Sequence, residues 1–330
     1  MRRFRCRFGK NIKWFCIIIT ILIGFPNFVG CGSSHYLMGL RLLGDAKDYD
    51  GAIAEFTKAI ESNPKSEGAY WGRGASYYLK GNYDRAIEDY SKAIELNPKY
   101  ATAYNHRGEA WNRRGDYDHA IEDYNKAIGI DPTYPYAYNN RGNAWKNKGE
   151  YEYAIRDYSK AIELNPKLAL AYSNRGNAFY CLGKFREAIP DYLKAIENNY
   201  QPKDYPYLRL LLASRRVSKE DYERYKKEFS DYVASQKMDE WIREISIYYL
   251  EGHKTEFHII NHAQQTGKNQ REIKERLCEA YFYLGEYRLM KGDRKGAEEF
   301  FRKSMETNIH FFVEYQSSKA MLKLMAEGKI

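Results

Sequence analysis

Cysteine is scarce in this 330-residue chain: five in all, with Cys6 and Cys16 inside the first 30 residues. No CxxC pair is present, so neither a zinc ribbon nor a dense disulfide framework is available. No apolar run reaches the roughly 20 residues that span a membrane. The longest is residues 14–25 (WFCIIITILIGF), which rules out a polytopic membrane protein. Excess charge is also small where it matters. Lys and Arg number 53 against 44 Asp and Glu, but Arg2, Arg3, Arg5, Arg7, Lys10 and Lys13 face no acidic residue within residues 1–30. The rest of the chain is nearly balanced, whereas a nucleic-acid binder concentrates positive charge on one face, so nucleic acid is excluded as a partner. There is no phosphate loop, nucleophile elbow or HExxH, and the sequence supports no catalytic residue, resident metal or cofactor. His258 and His262 lie four apart near His253, and a metal-using envelope enzyme built on these three is the rival of a different class.

What is present begins with a leader. Residues 1–13 are basic, residues 14–25 apolar, and Pro26-Asn27 ends the run, the order of a secretory signal. The following Phe28-Val29-Gly30-Cys31 resembles the lipobox of bacterial lipoproteins, in which the cysteine is acylated and becomes the mature N-terminus. That resemblance implies cleavage after residue 30, palmitate-type acylation of Cys31 and a tethered protein. An ordinary cleaved signal and an uncleaved anchor are the alternatives. Gly32 rather than Asp follows Cys31, which by the same resemblance implies an outer-membrane lipoprotein facing the periplasm. Cys181 and Cys278 are then the only other thiols, and are expected to be buried small hydrophobes.

Tyrosine is abundant, 32 residues, because one pattern recurs. Pro64, Pro98, Pro132 and Pro166 are spaced by 34. Segments 67–100, 101–134, 135–168 and 169–202 share a tyrosine at the fourth position and glycine at the eighth (Gly74, Gly108, Gly142, Gly176). They share glycine again at the fifteenth, alanine at the twentieth and twenty-seventh, and tyrosine at the twenty-fourth (Tyr90, Tyr124, Tyr158, Tyr192). Small residues let two antiparallel helices approach closely, glycine makes the turn, and proline ends the second helix. The pattern resembles the tetratricopeptide repeat, which implies an all-α solenoid, a right-handed superhelix of helix-turn-helix units with a concave groove. A degenerate first copy starts at Ser33, with Leu40 where the glycine belongs, so five repeats fill residues 31–202.

Arg73, Arg107, Arg141 and Arg175 recur at position seven, and Asp89, Asp123, Asp157 and Asp191 at position twenty-three. Equal periodicity predicts that the two rows neutralise each other between packed helices. In proteins with this repeat the groove is lined by positions two, five, nine, twelve and thirteen. Carried onto this chain, the resemblance implies a partner-binding groove of Trp71, Tyr78, Asn105, Glu109, Asn112, Arg113, Tyr136, Asn139, Asn143, Lys146, Asn147, Asn177 and Tyr180. Amides and aromatics suit an extended peptide. Replacing Asn139 and Asn143 with alanine is expected to weaken binding and leave the thermal midpoint unchanged.

Residues 203–277 keep helical patterning without the period, giving three or four helices. In segment 278–330 a sixth unit returns, with Tyr281, Gly285, Gly292, Ala297 and Phe301 in register, followed by a helix near 312–326 expected to cap the stack. This order of elements, with Tyr281-Phe282-Tyr283-Leu284-Gly285 and Ile309-His310-Phe311-Phe312-Val313-Glu314, is similar to the NlpI outer-membrane lipoproteins. The similarity implies a homodimeric scaffold that brings murein hydrolases to a periplasmic C-terminal processing protease. A pilotin-like lipoprotein of pilus or secretion assembly is the other binding-protein reading.

Overall fold

The computed structural model describes residues 31–330 apart from 202–203, 236–239, 252–254 and 311. The leader and His253 therefore lie outside the described residues, and Cys31 enters only as the first residue of a helix. The described residues form seventeen α-helices and one π turn, with no strand. The chain divides into two compact units, residues 1–98 and 99–330.

The first unit holds α1 (Cys31–Arg41), the π turn (Leu42–Ala46), α2 (Tyr49–Ser62), α3 (Glu67–Leu79) and α4 (Tyr83–Leu96). Its opening repeat corrects the expectation of a missing glycine. Gly39, one residue before Leu40, holds the close contact: a Cβ there would lie 2.8 Å from the ring of Phe56, the aromatic at position twenty-four. Lys47 then takes the left-handed conformation (φ 52°) at position fifteen, where the next repeat uses Gly81 (φ 80°). One more residue separates Gly39 from Lys47 than separates Gly74 from Gly81, and the wider π turn absorbs it.

The second unit continues with three helix pairs, α5 (Ala101–Arg114) with α6 (Tyr117–Ile130), α7 (Pro135–Lys148) with α8 (Tyr151–Leu164), and α9 (Ala169–Cys181) with α10 (Phe185–Glu197). In each pair the position-eight glycine faces the position-twenty-four tyrosine ring; a Cβ on Gly142 would stand 2.7 Å from Tyr158. The residue after the turn glycine caps the next helix where its side chain is short enough, as Asp116 accepts from the His119 amide.

Beyond residue 203 come α11 (Asp204–Val217), α12 (Lys219–Ser235), α13 (Glu240–Glu251), α14 (Glu256–Thr266), α15 (Gln270–Met290), α16 (Arg294–Glu306) and α17 (Val313–Ala326). Residues 203–277, where three or four helices are expected from sequence, hold α11 to α14 and the first two turns of α15, so the boundary at 278 falls inside a helix. From Gly285 onward the pair α15–α16 reproduces the repeat: Gly285 lies under Phe301, Gly292 turns at φ 81°, and Ala297 is buried. A core built from Tyr180, Tyr192, Leu208, Leu211, Phe229, Phe282, Phe301 and Met321 joins the last repeat to these helices.

Candidate functional site

The arginine and aspartate rows meet as expected. In each regular repeat the arginine Nε and Nη2 donate to the two oxygens of the aspartate sixteen residues on, at 2.6–2.8 Å. Each guanidinium also lies over the position-four tyrosine of its own helix, 5.5–5.8 Å from the ring centroid. Burial pushes the Asp89, Asp123 and Asp191 carboxyls up despite their arginines. The pairs are thus internal ties, not an anion-binding strip.

The asparagines do not behave as an open peptide-binding row. Asn139 is 0% exposed; it accepts from Asn174 Nδ2 at 3.0 Å and donates to Asn140 Oδ1 at 3.2 Å. Asn140 in turn donates to buried Asn105 at 3.1 Å and to Glu109 at 2.5 Å. Asn147 donates to Asn112 at 3.0 Å, and the position-nine amides Asn143 and Asn177 accept from the hydroxyls of Tyr158 and Tyr192. The inner face of the second unit is therefore laced from repeat to repeat by a ladder of amides. Asn140 and Asn174, at position six, are the rungs that the sequence analysis overlooked, although they too are spaced by 34.

The final helix, α17, packs on α15 and α16, the sixth unit, as a cap would, and it also lies against the C-terminal ends of α7 and α9. Leu324 meets the turn at Gly183 (3.2 Å from a Cβ placed there), Ser317 Oγ stands 3.9 Å from Cys181 Sγ, and Gln316 Nε2 donates to the Asn147 carbonyl at 3.5 Å. Ala320 packs in one cluster with Tyr151, Tyr158, Ala178 and Cys181. Lys146 (4% exposed), Asn177 and Tyr180 (0%) are buried, so they do not present an open surface to an external partner. Burial lowers the Lys146 ammonium to about 8, against the opposing pull of Cys181 and Glu314.

What remains uncovered in the second unit is a strip on α5 and α7: Tyr136, 41% exposed, exposed Arg113, and half-buried Asn112, Asn143 and Glu109. In the first unit Trp71 and Tyr78 are half-buried on α3.

Arg209 and Glu314 are further residues missed in sequence. An arginine inside the apolar run Tyr207–Leu212 was the available signal, since a buried guanidinium requires an acidic partner. Among the histidines, His258 Nε2 lies 3.2 Å from Glu244 and His262 stacks on Trp241 with ring centroids 6.0 Å apart. No three metal-ligating side chains converge among the described residues. Cys181 and Cys278 are buried and free, and burial pushes both thiols up. No described helix is long and apolar enough to cross a membrane.

Two tetratricopeptide-repeat family models match the chain, one over residues 37–101 and 76–135, the other over 135–168 and 169–199. Among solved structures, PilW, described as a widely conserved type IV pilus biogenesis factor, aligns at TM-score 0.56 and 18% identity, covering 64% of this chain and 97% of its own. PilF of Pseudomonas aeruginosa aligns at TM-score 0.54 and 17% identity, covering 62% and 93%. MamA is 28% identical at TM-score 0.45, covering 52% and 95%.

Proposed function

We propose that this chain, a tetratricopeptide-repeat protein over residues 37–199, is a non-enzymatic scaffold tethered by acyl chains on Cys31 to the periplasmic face of a bacterial outer membrane. It holds a protein partner against the uncovered strip of α5 and α7. The observation that carries this is the contrast along one inner face: Asn105, Asn139, Asn177 and Tyr180 are buried, while Tyr136 and Arg113 stand open to solvent. An exposed ring and a guanidinium beside half-buried amides suit an extended segment, whose backbone pairs with amides while its side chains rest on the ring. The leader supports the anchor. Two or more acyl chains hold a protein at a bilayer where one does not, at about 0.8 kcal/mol per buried CH₂. Tethering confines partners to a thin layer and raises their effective concentration for one another.

The resemblance of residues 281–314 to the NlpI lipoproteins supports a processing protease and murein hydrolases as partners, on a homodimer. The likeness in fold to PilW supports a second reading, a pilus-assembly factor.

Crosslinked pull-down of the lipidated protein from its own envelope, followed by mass spectrometry, tests both. A protease or hydrolase lost in the Arg113→Ala, Tyr136→Ala double variant supports the first; pilus components lost in the same way support the second. An identical set of partners from the double variant overturns the groove, and undiminished membrane association of Cys31→Ser overturns the anchor.

A further inference from the structure

The seam between α17 and the repeats differs from the seams between one regular repeat and the next. Repeat packs on repeat through amide rungs, Asn140 to Asn105, Asn147 to Asn112 and Asn174 to Asn139. Beneath α17, by contrast, Asn147 Oδ1, Gln316 Oε1 and Ser318 Oγ are buried without a hydrogen-bond partner. The direct polar contacts across to α7 and α9 are long, 3.5 Å for Gln316 to Asn147 and 3.9 Å between Ser317 and Cys181. Lys146 is buried there as well, and desolvation lowers its ammonium. Each unsatisfied buried polar atom weakens the seam, because its lost water is not replaced. The helix stays because its other contacts are good: Glu314 on Arg209, and Met321, Leu324 and Met325 in the core with α11, α15 and α16. A second helix presenting the same groups would be held equally well, and one offering a donor to Asn147 Oδ1 would be held better.

We propose that the ends of α7 and α9, with Arg209 behind them, form a helix-accepting site in which α17 is an exchangeable resident. Its external ligand is a helix of a partner protein carrying a carboxylate in its first turn, small residues at the spacing of Ser317 and Ala320, and aliphatic residues at the spacing of Met321, Leu324 and Met325. For its biological partner this rests on the scaffold reading, and it adds a second, normally closed binding strip. Displacement of α17 uncovers Asn147 and Cys181, so partner engagement and release of the C-terminal helix are one equilibrium.

The Ser317→Cys substitution tests this, because it faces the native Cys181. In the mature chain carrying Cys31→Ser, oxidation locks α17 onto α9 and reduction frees it. The probe is a fluorescein-labelled synthetic peptide of residues 313–330, followed by anisotropy. The reduced chain is expected to bind it saturably, the oxidised chain at least tenfold more weakly, and a peptide with Glu314→Gln about tenfold more weakly than the parent. A Glu314→Gln chain, whose resident helix is loosened, binds the parent peptide more tightly. No binding to either reduced chain, or equal binding to the oxidised one, overturns the proposal. Hydrogen exchange on the unsubstituted chain is independent of any variant's folding: α17 amides are expected to exchange at least tenfold faster than those of α15, and equal rates make α17 a fixed part of the core. Because no cellular partner enters these measurements, their failure leaves the Arg113 and Tyr136 strip standing, and the pull-down can fail without touching them.

Discussion

Arg209 Nη2 donates to Glu314 Oε1 at 2.7 Å while its Nη1 donates to Ser317 Oγ at 3.0 Å, tying α11 to α17 across 105 residues of sequence. Both side chains are almost wholly buried, and the guanidinium lies 4.4 Å from the centroid of Phe282. Removing one partner strands the other charge in the core, at about 3–5 kcal/mol. Arg209→Met is therefore expected to lower stability by that amount in urea unfolding. Arg209→Met with Glu314→Leu should cost clearly less than the two single changes together, and strict additivity would show that the pair is not coupled.

Lys146 makes stability depend on alkaline pH. Its folded value of about 8 lies below the roughly 10.4 of a solvated lysine, so between these values the unfolded chain binds more protons. The penalty of the buried ammonium is full below pH 8 and fades as pH rises toward 10.4. Lys146→Met is expected to stabilise the protein at pH 7 by up to about 3 kcal/mol, with the gain shrinking toward pH 10. Thermal melts of both proteins at pH 7, 8.5 and 10 measure this; a gain constant with pH would place the ammonium in solvent.

The amide ladder reverses one expectation from sequence. Asn139→Ala removes a buried acceptor and donor and leaves Asn174 Nδ2 without its partner, so a loss of about 1–3 kcal/mol is expected, not an unchanged midpoint. Asn143→Ala strands only the Tyr158 hydroxyl and should cost less. Chemical denaturation of the two single variants separates them.

Two glycines of the second unit are expected to respond in opposite senses. At Gly142 a Cβ would press on the Tyr158 ring from 2.7 Å, so Gly142→Ala should destabilise by about 1–3 kcal/mol and Gly142→Leu more. Gly129, exposed inside α6, has open space around it, and Gly129→Ala should stabilise by about 0.5–1 kcal/mol. Melting curves that shift in the same direction would contradict the packing described.

The sequence by itself determined whatever repeats. Glycine under tyrosine, arginine on aspartate sixteen residues later, and glycine or Lys47 at the left-handed turn are contacts within one helix pair. Their spacing is printed in the chain at every copy, and so the all-α repeat architecture was legible. The displaced Gly39 shows the limit even there: the period fixes where a small residue is needed only to within the one residue that a π turn can absorb. The tertiary structure alone decided which groove residues remain open. Whether Cys181 and Asn147 face solvent or α17 depends on where a helix more than 130 residues further along comes to rest. That is set by Arg209 with Glu314 and by Met321 and Leu324 in a core that joins the last regular repeat to the C-terminal helices. Such contacts occur once, at no fixed spacing, and the burial that makes them strong is a property of the assembled core.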